Sequence, residues 1–325
     1  MAKHNLTGRY EHMDIRIVSF VILFFVLYGA VGFRLYDLQV NKKYLSQLEV
    51  SRGKRVTRRT VVPQRGTIFD SNGNILAITR KVKSMYCVPC LVKDKEGAAK
   101  ELSGITGADT AFLLSRLSRK SSFAWLKRKL DDDEARYIEE KKFPGIGFRE
   151  EYQRFYPKGQ VFSHVLGYVN IDNAGIEGLE KIMEGSLKGQ EGSMLCEVDA
   201  QGQEILSYTV NEKDAVPGDN VMLTLDEVIQ QIVDEELDKL MQKHQPLGAV
   251  AIVMETRTGR ILAMCSKPSF DPMKPGDYLP DERRNRCITD MFEPGSVFKV
   301  ITTSAAMNEG IVSLDDVFFC ENGAY

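Results

Sequence analysis

The longest apolar run of the chain lies near its N-terminus, at residues 17–33, between Arg16 and Arg34. At 1.5 Å per residue this run spans ~25 Å, slightly less than the ~30 Å hydrocarbon core of a bilayer. The helix gains enough length if it continues to residue 37 while Arg34 reaches back to the interface. We therefore predict one transmembrane helix at residues 17–37. A cleaved signal peptide and a buried helix of a soluble protein are the competing interpretations.

The next pattern is a hairpin at residues 65–77. Asn72 and Gly73 lie between two short apolar runs, and Asn-Gly in that position is a strong hairpin signal. Residues 95–142 contain no proline, and their pattern is mostly helical. These segments predict a mixed arrangement of strands and helices after the apolar run.

A second regular stretch follows Pro217. Asp226 is a predicted N-cap for a helix over residues 227–243, whose apolar residues recur every three or four positions. Residues 249–254 then predict a buried strand, and residues 260–264 predict a second strand after a turn at Thr258 and Gly259. A helix followed by two adjacent strands is typical of a mixed α/β domain.

Composition adds few constraints. The 325 residues carry a net charge of −2, with 43% hydrophobic and 27% charged residues, as in ordinary globular proteins of about two domains. The basic stretch at residues 51–59 has no interleaved aromatic residues, so it fits an anionic lipid surface better than nucleic acid. Nucleic acid is therefore not an expected partner.

The cysteines and histidines do not predict a cofactor site. The six cysteines are too sparse for a disulfide scaffold, and the four histidines are scattered. Cys87 and Cys90 have C-x-x-C spacing, which leaves plain thiols or one bond in an oxidising compartment as alternatives. We expect no metal and no cofactor.

The candidate chemistry lies at residues 292–299. A helix is predicted to follow Pro294 and Gly295 and to run to residue 309, which places Ser296 at its N-terminus. Backbone N–H groups and the positive end of the helix dipole would there favour a developing oxyanion. Lys299 lies one turn further on the same face, and a lysine whose pKa is lowered by desolvation could accept the serine proton. Taken alone the motif is weak, because an ordinary N-cap serine gives the same pattern.

The order of the motifs resembles that of class B penicillin-binding proteins, most of all their division and sporulation types. The S-x-x-K motif of Ser296 and Lys299 is the nucleophile signature of penicillin-recognising enzymes. The other matching segments, in chain order, are residues 65–77, 154–159, 164–170, 175–180, Asp199 with Gly202, 223–230, 258–264, 268–272 and 285–286.

This resemblance implies an α+β chain with four parts. These are a cytoplasmic tail at 1–16, a transmembrane helix at 17–37, an elongated mixed α/β pedestal of the dimerisation type at 38–216, and the N-terminal part of a serine β-lactamase-like transpeptidase domain at 217–325. It also implies the bacterial inner membrane, one span, a cytoplasmic N-terminus and an extracytoplasmic bulk. Charges on the two sides of the span do not by themselves settle this orientation.

The resemblance further implies a peptidoglycan D,D-transpeptidase that uses no cofactor. Ser296 would be the nucleophile and supply one oxyanion N–H, and Lys299 would be the general base. Expected partners are D-Ala-D-Ala stem peptides or a lipid-linked precursor, β-lactams, the membrane, and glycosyltransferase and other divisome or elongasome proteins through the pedestal.

The family's S-x-N and K-[ST]-G motifs do not occur after Lys299. We therefore expect a C-terminally truncated chain without turnover. The alternative function is a non-catalytic, membrane-anchored scaffold of a cell-wall synthesis complex. A β-lactam sensor or hydrolase and an unrelated single-span protein are further alternatives.

Overall fold

The computed structural model describes residues 7–40, 56–198 and 204–321. Residues 1–6 of the predicted tail, most of the basic stretch, and Asp199 with Gly202 lie outside the described residues. Helix α1, Thr7–Val40, begins within the predicted tail. Its segment Ile17–Tyr36 is long and apolar enough to cross a membrane and has no buried residues. The N-terminal helix is therefore compatible with a membrane anchor.

The chain divides into two compact units, each assembled from separated stretches. The first contains Met1–Thr67, Thr79–Arg154 and Gly185–Asn220, and the second contains Ile68–Ile78, Phe155–Glu184 and Val221–Tyr325. The two separated segments Ile68–Ile78 and Phe155–Glu184 thus cluster with the C-terminal residues of the chain.

The first unit contains two sheets. One is antiparallel and has the order β1-β6-β7, from β1 (Val56–Val61), β6 (Gly192–Val198) and β7 (Glu204–Lys213). In the other, β3 (Ile75–Cys87) pairs with β4 (Ala124–Lys127) and with β5 (Ile146–Phe155). The sequence pattern missed β4 and β5, because β4 is short and β5 is rich in charged residues.

Three helices cover this second sheet. They are α2 (Lys95–Thr106), α3 (Thr110–Leu117) and α4 (Asp132–Lys141), within the region predicted to be mostly helical. Aspartates begin α2 and α3, since Asp94 accepts from the Gly97 N–H at 2.9 Å and Asp109 from the Phe112 N–H at 3.0 Å. The buried core of this unit includes Met85, Cys87, Val92, Ala99, Leu102, Leu113, Leu117, Leu126, Leu130 and Ile138.

The second unit begins with the predicted hairpin, which is confirmed. Strand β2 (Ile68–Phe69) pairs antiparallel with the start of β3, and it pairs parallel with β8 (Val221–Met222). Between the hairpin strands, Gly73 has a φ of +86°, a left-handed conformation that favours glycine. The chain then continues through short helices: a 3₁₀ turn (Gly159–Phe162), α5 (Ser163–Leu166), α6 (Gly178–Ile182) and α7 (Glu184–Leu187), which extends into the first unit.

Asp70 organises the hairpin turn. Its Oδ1 accepts the N–H groups of Asn72 and Asn74, both at 2.8 Å. Its Oδ2 accepts the Asn74 side-chain amide at 3.0 Å and the Glu227 N–H at 3.2 Å. Burial alone would raise the pKa of Asp70, but these donors hold it below its ordinary value.

We expect the stability contribution of Asp70 to be lost in acid. Because the folded pKa is lowered, the contribution is present above the unfolded value of ~3.9 and disappears as pH falls through the folded pKa. Asp70→Asn should therefore unfold at a lower temperature than the wild type at pH 7, and this gap should narrow below pH ~4. Thermal melting curves recorded by circular dichroism at several pH values measure this difference in melting temperature. The control is Asp277→Asn, because Asp277 is exposed. Melting curves with a constant gap down to strong acid would contradict the role of the ionised carboxylate.

The C-terminal part of the second unit contains the predicted helix and strand pair. Helix α8 is Glu227–His244, and the Asp226 side chain caps it by accepting the Val228 and Ile229 N–H groups. Strands β9 (Ala249–Met254) and β10 (Ile261–Lys267) pair antiparallel. These predictions are confirmed.

The burial predicted for β9 is wrong. Alternate residues Val250, Ile252 and Met254 are exposed by 49%, 50% and 56%. The residues on the other face of β9 are partly buried, whereas an all-apolar run had predicted burial of both faces. The apolar composition of β9 thus leaves one exposed row.

Candidate functional site

Ser296 lies in a 3₁₀ turn, Gly295–Phe298, directly before helix α11. Two short helices, α9 (Pro280–Arg283) and α10 (Arg286–Thr289), precede it, after another 3₁₀ turn at Pro275–Asp277. Helix α11 is Lys299–Asn308. The single helix predicted to start directly after Gly295 is therefore corrected: its first turn is 3₁₀, and the α-helix begins at Lys299.

The backbone of this turn presents N–H groups at its start. The Val297 N–H donates to Pro294 at 3.1 Å, and the Lys299 N–H donates to the carbonyls of Ser296 and Val297. Gly295 has a φ of +53°, which turns the chain immediately before the serine. First-turn N–H groups have no acceptor within their own helix, and Ser296 lies in the first turn of this segment.

The side chains of Ser296 and Lys299 are both exposed. Among hydrogen bonds and ion pairs of the described residues, none joins these two side chains. The adjacent Val297, Phe298 and Val300 are exposed by 71%, 51% and 67%. The apolar shielding of Lys299 that the sequence predicted is not present in the described residues.

Helix α8 holds β10, upstream of the serine, through one buried glutamine. Gln230 is fully buried, and its amide nitrogen donates to the carbonyls of Val161 at 2.9 Å and Met264 at 3.0 Å. Its amide oxygen accepts the Met264 N–H at 2.8 Å. One side chain thus satisfies both backbone groups of Met264 on the edge of β10.

Asn285 and Arg286 connect this support to the segment that leads to the serine. Asn285 caps α10 by accepting the Cys287 N–H at 3.1 Å, and its amide donates to the His164 carbonyl at 3.4 Å. Arg286 donates to Asp290 at 3.2 Å and also pairs with Asp281. The sequence motif at 285–286 therefore has a structural role in positioning the chain before Ser296.

His164 is a packing residue in this structure. It is 9% exposed, and its ring lies edge-on to Phe270 with centroids 5.3 Å apart. Burial lowers the pKa of His164 below its ordinary value, so the neutral imidazole is favoured at pH 7. Its Nε2 donates to the Glu282 carbonyl at 2.9 Å in the tautomer that this contact requires.

The cysteines are free thiols in the structure. Burial raises the pKa of Cys87 to about 11 and that of Cys265 to about 12, so neither thiol is a thiolate at neutral pH. Cys90 is exposed, and it forms no bond with Cys87. Over the described residues, no group of three histidine, cysteine, aspartate or glutamate side chains could hold a metal ion.

Two family models match the chain. Residues 60–223 match the penicillin-binding protein dimerisation domain, and residues 249–325 match the penicillin-binding protein transpeptidase domain. The second match contains Ser296 and Lys299, and the first lies within the predicted pedestal and the turn that follows it.

Curated relatives match over most of the chain. A probable peptidoglycan D,D-transpeptidase PenA of Neisseria meningitidis is 35% identical over 305 residues, which are 92% of this chain and 52% of the relative. Stage V sporulation protein D of Bacillus subtilis is 31% identical over 310 residues, 93% of this chain and 48% of the relative. Peptidoglycan D,D-transpeptidase FtsI of Escherichia coli is 34% identical over 264 residues, 79% of this chain and 45% of the relative. The chain spans about half the length of these relatives.

Solved structures agree with these matches. Penicillin-binding protein 2X of Streptococcus thermophilus superposes with a TM-score of 0.57 at 26% identity, covering 81% of this chain and 43% of that protein. A peptidoglycan synthetase of Bifidobacterium adolescentis gives a TM-score of 0.55 at 26% identity over 81% of this chain and 54% of that protein.

Proposed function

The chain belongs to the class B penicillin-binding proteins, and we propose that it carries the anchor, the pedestal and the nucleophile of a peptidoglycan D,D-transpeptidase. The observation that carries the proposal is the position of Ser296 in the first turn before α11, with Lys299 three residues later. This pair lies inside the segment that matches the transpeptidase domain.

The proposed reaction is an acyl transfer. Ser296 Oγ attacks the carbonyl carbon of the penultimate D-alanine of a stem peptide, while Lys299 accepts the hydroxyl proton. The peptide bond breaks, and the terminal D-alanine leaves with a proton on its amine. An amine of a neighbouring stem then attacks the acyl-serine and regenerates the hydroxyl. β-Lactams acylate the same oxygen by opening their ring.

The backbone of Ser296 supplies one oxyanion donor in this proposal. Removing a single oxyanion donor typically costs ~10²–10³ in rate, so a second donor matters as well. The K-[ST]-G and S-x-N motifs that fill the remaining roles in the family are absent from residues 300–325. We therefore propose that residues 1–325, tested by themselves, do not turn over substrate.

Penicillin labelling of native membranes tests the function. Membranes of the source cell are treated with fluorescent penicillin and precipitated with an antibody against residues 60–215. A labelled band well above 36.6 kDa supports the transpeptidase. An unlabelled band near 36.6 kDa overturns the enzyme for this polypeptide and favours the alternative, a membrane-anchored scaffold that keeps the pedestal.

The domain limits belong to the same proposal. We place the pedestal at 38–216 and the transpeptidase part at 217–325, with the turn at Pro217 between them. The two family matches, 60–223 and 249–325, support a division in this region. Pedestal contacts with glycosyltransferase and other division or elongation proteins are the proposed role of the first part.

The proposed topology has a cytoplasmic N-terminus and an extracytoplasmic bulk. Cys90 is exposed and serves as a native reporter, because its neighbour Cys87 is buried. Cys287 is partly exposed, so the background is Cys287→Ser with Cys320→Ser. There we expect a membrane-impermeant maleimide to label the protein in intact spheroplasts, and Cys90→Ser to remove the label. Labelling only after lysis would place residue 90 in the cytoplasm and contradict the topology.

A further inference from the structure

A cavity of about 560 Å³ opens in the first unit, away from Ser296 in the chain. One wall is the segment after β3, which includes Val88, Pro89 and Lys95, and the other is the turn between α3 and β4 at residues 118–122. Both walls are fixed by backbone bonds: Val88 donates to Gly145 at 2.8 Å, and Ser118 donates to Leu114 at 3.0 Å. The floor is preformed, since Val88 and Pro89 are buried.

Three cations line this cavity, namely Lys95, Arg119 and Lys120. No aspartate or glutamate is among the described residues of its lining. Asp94 is adjacent in sequence, but its carboxylate accepts the Gly97 N–H as the cap of α2. The lining therefore combines an excess of positive charge with no carboxylate to balance it.

The three cations form no ion pair with any side chain that the structure describes. Other lysines of the same unit do: Lys83 pairs with Glu139 at 2.6 Å, Lys127 with Glu134 at 2.8 Å, and Lys141 with Glu101 at 2.6 Å. Lysines elsewhere in this unit thus commonly pair with glutamates. The three cations that line the cavity differ from them, because they have no such partner in the part of the chain that the structure describes.

Lys95 is the most buried of the three cations that line the cavity. Its side chain is half-buried, whereas Arg119 and Lys120 are exposed at the opening. The Lys95 ammonium also opposes the rise that burial causes in the pKa of the Cys87 thiol, which places this charge near the buried end of β3. A half-buried cation without a counter-ion is costly, and an anion bound beside it would offset that cost.

Serine hydroxyls define the kind of anion. The hydroxyls of Ser118 and Ser122 lie on the same wall as two of the cations, whereas the Ser121 hydroxyl donates to the Phe123 carbonyl at 3.0 Å. A phosphate group has several acceptor oxygens and so uses both the cations and neutral donors. The cavity volume of about 560 Å³ lies in the range of small-molecule sites. It exceeds the volume of a bare phosphate, so a ligand larger than phosphate fits.

We propose that this cavity, which we call the pedestal anion site (Lys95, Ser118, Arg119, Lys120, Ser121, Ser122), binds a phosphate ester that carries a small polar group such as glycerol. The ester belongs either to a soluble molecule or to an anionic lipid headgroup. The site is separate from the acyl-transfer chemistry, and its binding does not depend on Ser296.

Calorimetry on the full chain tests the site. The chain is held in phosphatidylcholine nanodiscs and titrated with glycerol 3-phosphate. We expect one saturable site, and Lys95→Gln or Lys120→Gln should each weaken it by about tenfold, as expected for the loss of one charge-assisted hydrogen bond. The matched control is Lys100→Gln, an exposed lysine on α2 that does not line the cavity and should leave the affinity unchanged.

Several results would overturn the proposal. These are the absence of saturable binding, equal weakening by Lys100→Gln, or acetate binding as tightly as glycerol 3-phosphate. Repeating the titration in phosphatidylglycerol nanodiscs distinguishes the two sources of the ester. A weaker apparent affinity there supports a headgroup that competes for the site, and an unchanged affinity supports a soluble ester.

Discussion

Ser296→Ala in the full-length gene product is expected to abolish covalent penicillin labelling, with a fall in acylation rate of at least ~10³-fold. The hydroxyl oxygen is the proposed nucleophile, and alanine removes it while retaining the backbone N–H and the turn. Stopped-flow acylation with a fluorescent penicillin measures the rate. Ser304→Ala is the matched control, because Ser304 lies on α11, is also exposed, and has no lysine three residues later.

Lys299 provides a second measurement of the same chemistry. Lys299→Met should lower acylation by ~10²–10⁴-fold, the usual contribution of a general base, and should change the pH dependence of the rate. Circular dichroism of each variant checks that the fold is retained. Normal labelling of Ser296→Ala, or equal losses in Ser304→Ala, would contradict the assignment of the nucleophile.

Local sequence signals predicted the elements that depend on local interactions. The Asn72-Gly73 turn and the Asp226 cap each lie next to the groups that they organise, so the hairpin and α8 could be predicted from the sequence. Strand β4 could not, because its four residues are set by pairing with β3, nearly forty positions earlier. The exposed row of β9 also depends on which neighbours cover each face, and an apolar run does not carry that information.

Some residues of the proposed sites could be predicted from the sequence, and others required the structure. Ser296 and Lys299 lie three residues apart, so their shared turn is visible in the sequence. The pedestal anion site is not, because Lys95 and Lys120 come from separate segments that meet only after β3 and α3 have packed. Gln230 was recognised as part of a motif, while its three bonds to Val161 and Met264 required the structure.

The largest stability effect is expected at Lys267, a buried cation at the end of β10. Its side chain is 3% exposed, and its ammonium lies 3.0 Å from Asp234 and 2.7 Å from Asp238, both on α8. Burial by itself would lower the pKa of Lys267, but the two carboxylates raise it above its ordinary value. The lysine therefore joins α8 to β10 as a charged group.

Lys267→Met should lower the free energy of unfolding of the second unit by about 3 kcal/mol, because it leaves the partly buried Asp234 without its cation. This value is at the low end for a buried pair, since Asp238 is 53% exposed and retains contact with water. Urea unfolding followed by pulse proteolysis measures the change. Lys239→Met is the matched control on α8, because Lys239 pairs with Glu236 at an exposed surface and should change nothing measurable.

The pH dependence distinguishes the ion pairs from simple packing. Since the folded pKa of Lys267 is raised, its contribution is fully present below the unfolded value of ~10.4 and is lost as pH rises through the folded pKa. The gap between wild type and Lys267→Met should therefore close in strong alkali. It should also narrow in acid, because burial raises the pKa of Asp234 and its protonated form needs no cation. Adding Asp234→Leu to Lys267→Met should recover part of the loss, because no buried charge then remains unpaired. A gap that is independent of pH, with no recovery in the double variant, would mean that the methylene chain of Lys267 stabilises the unit and its charge does not.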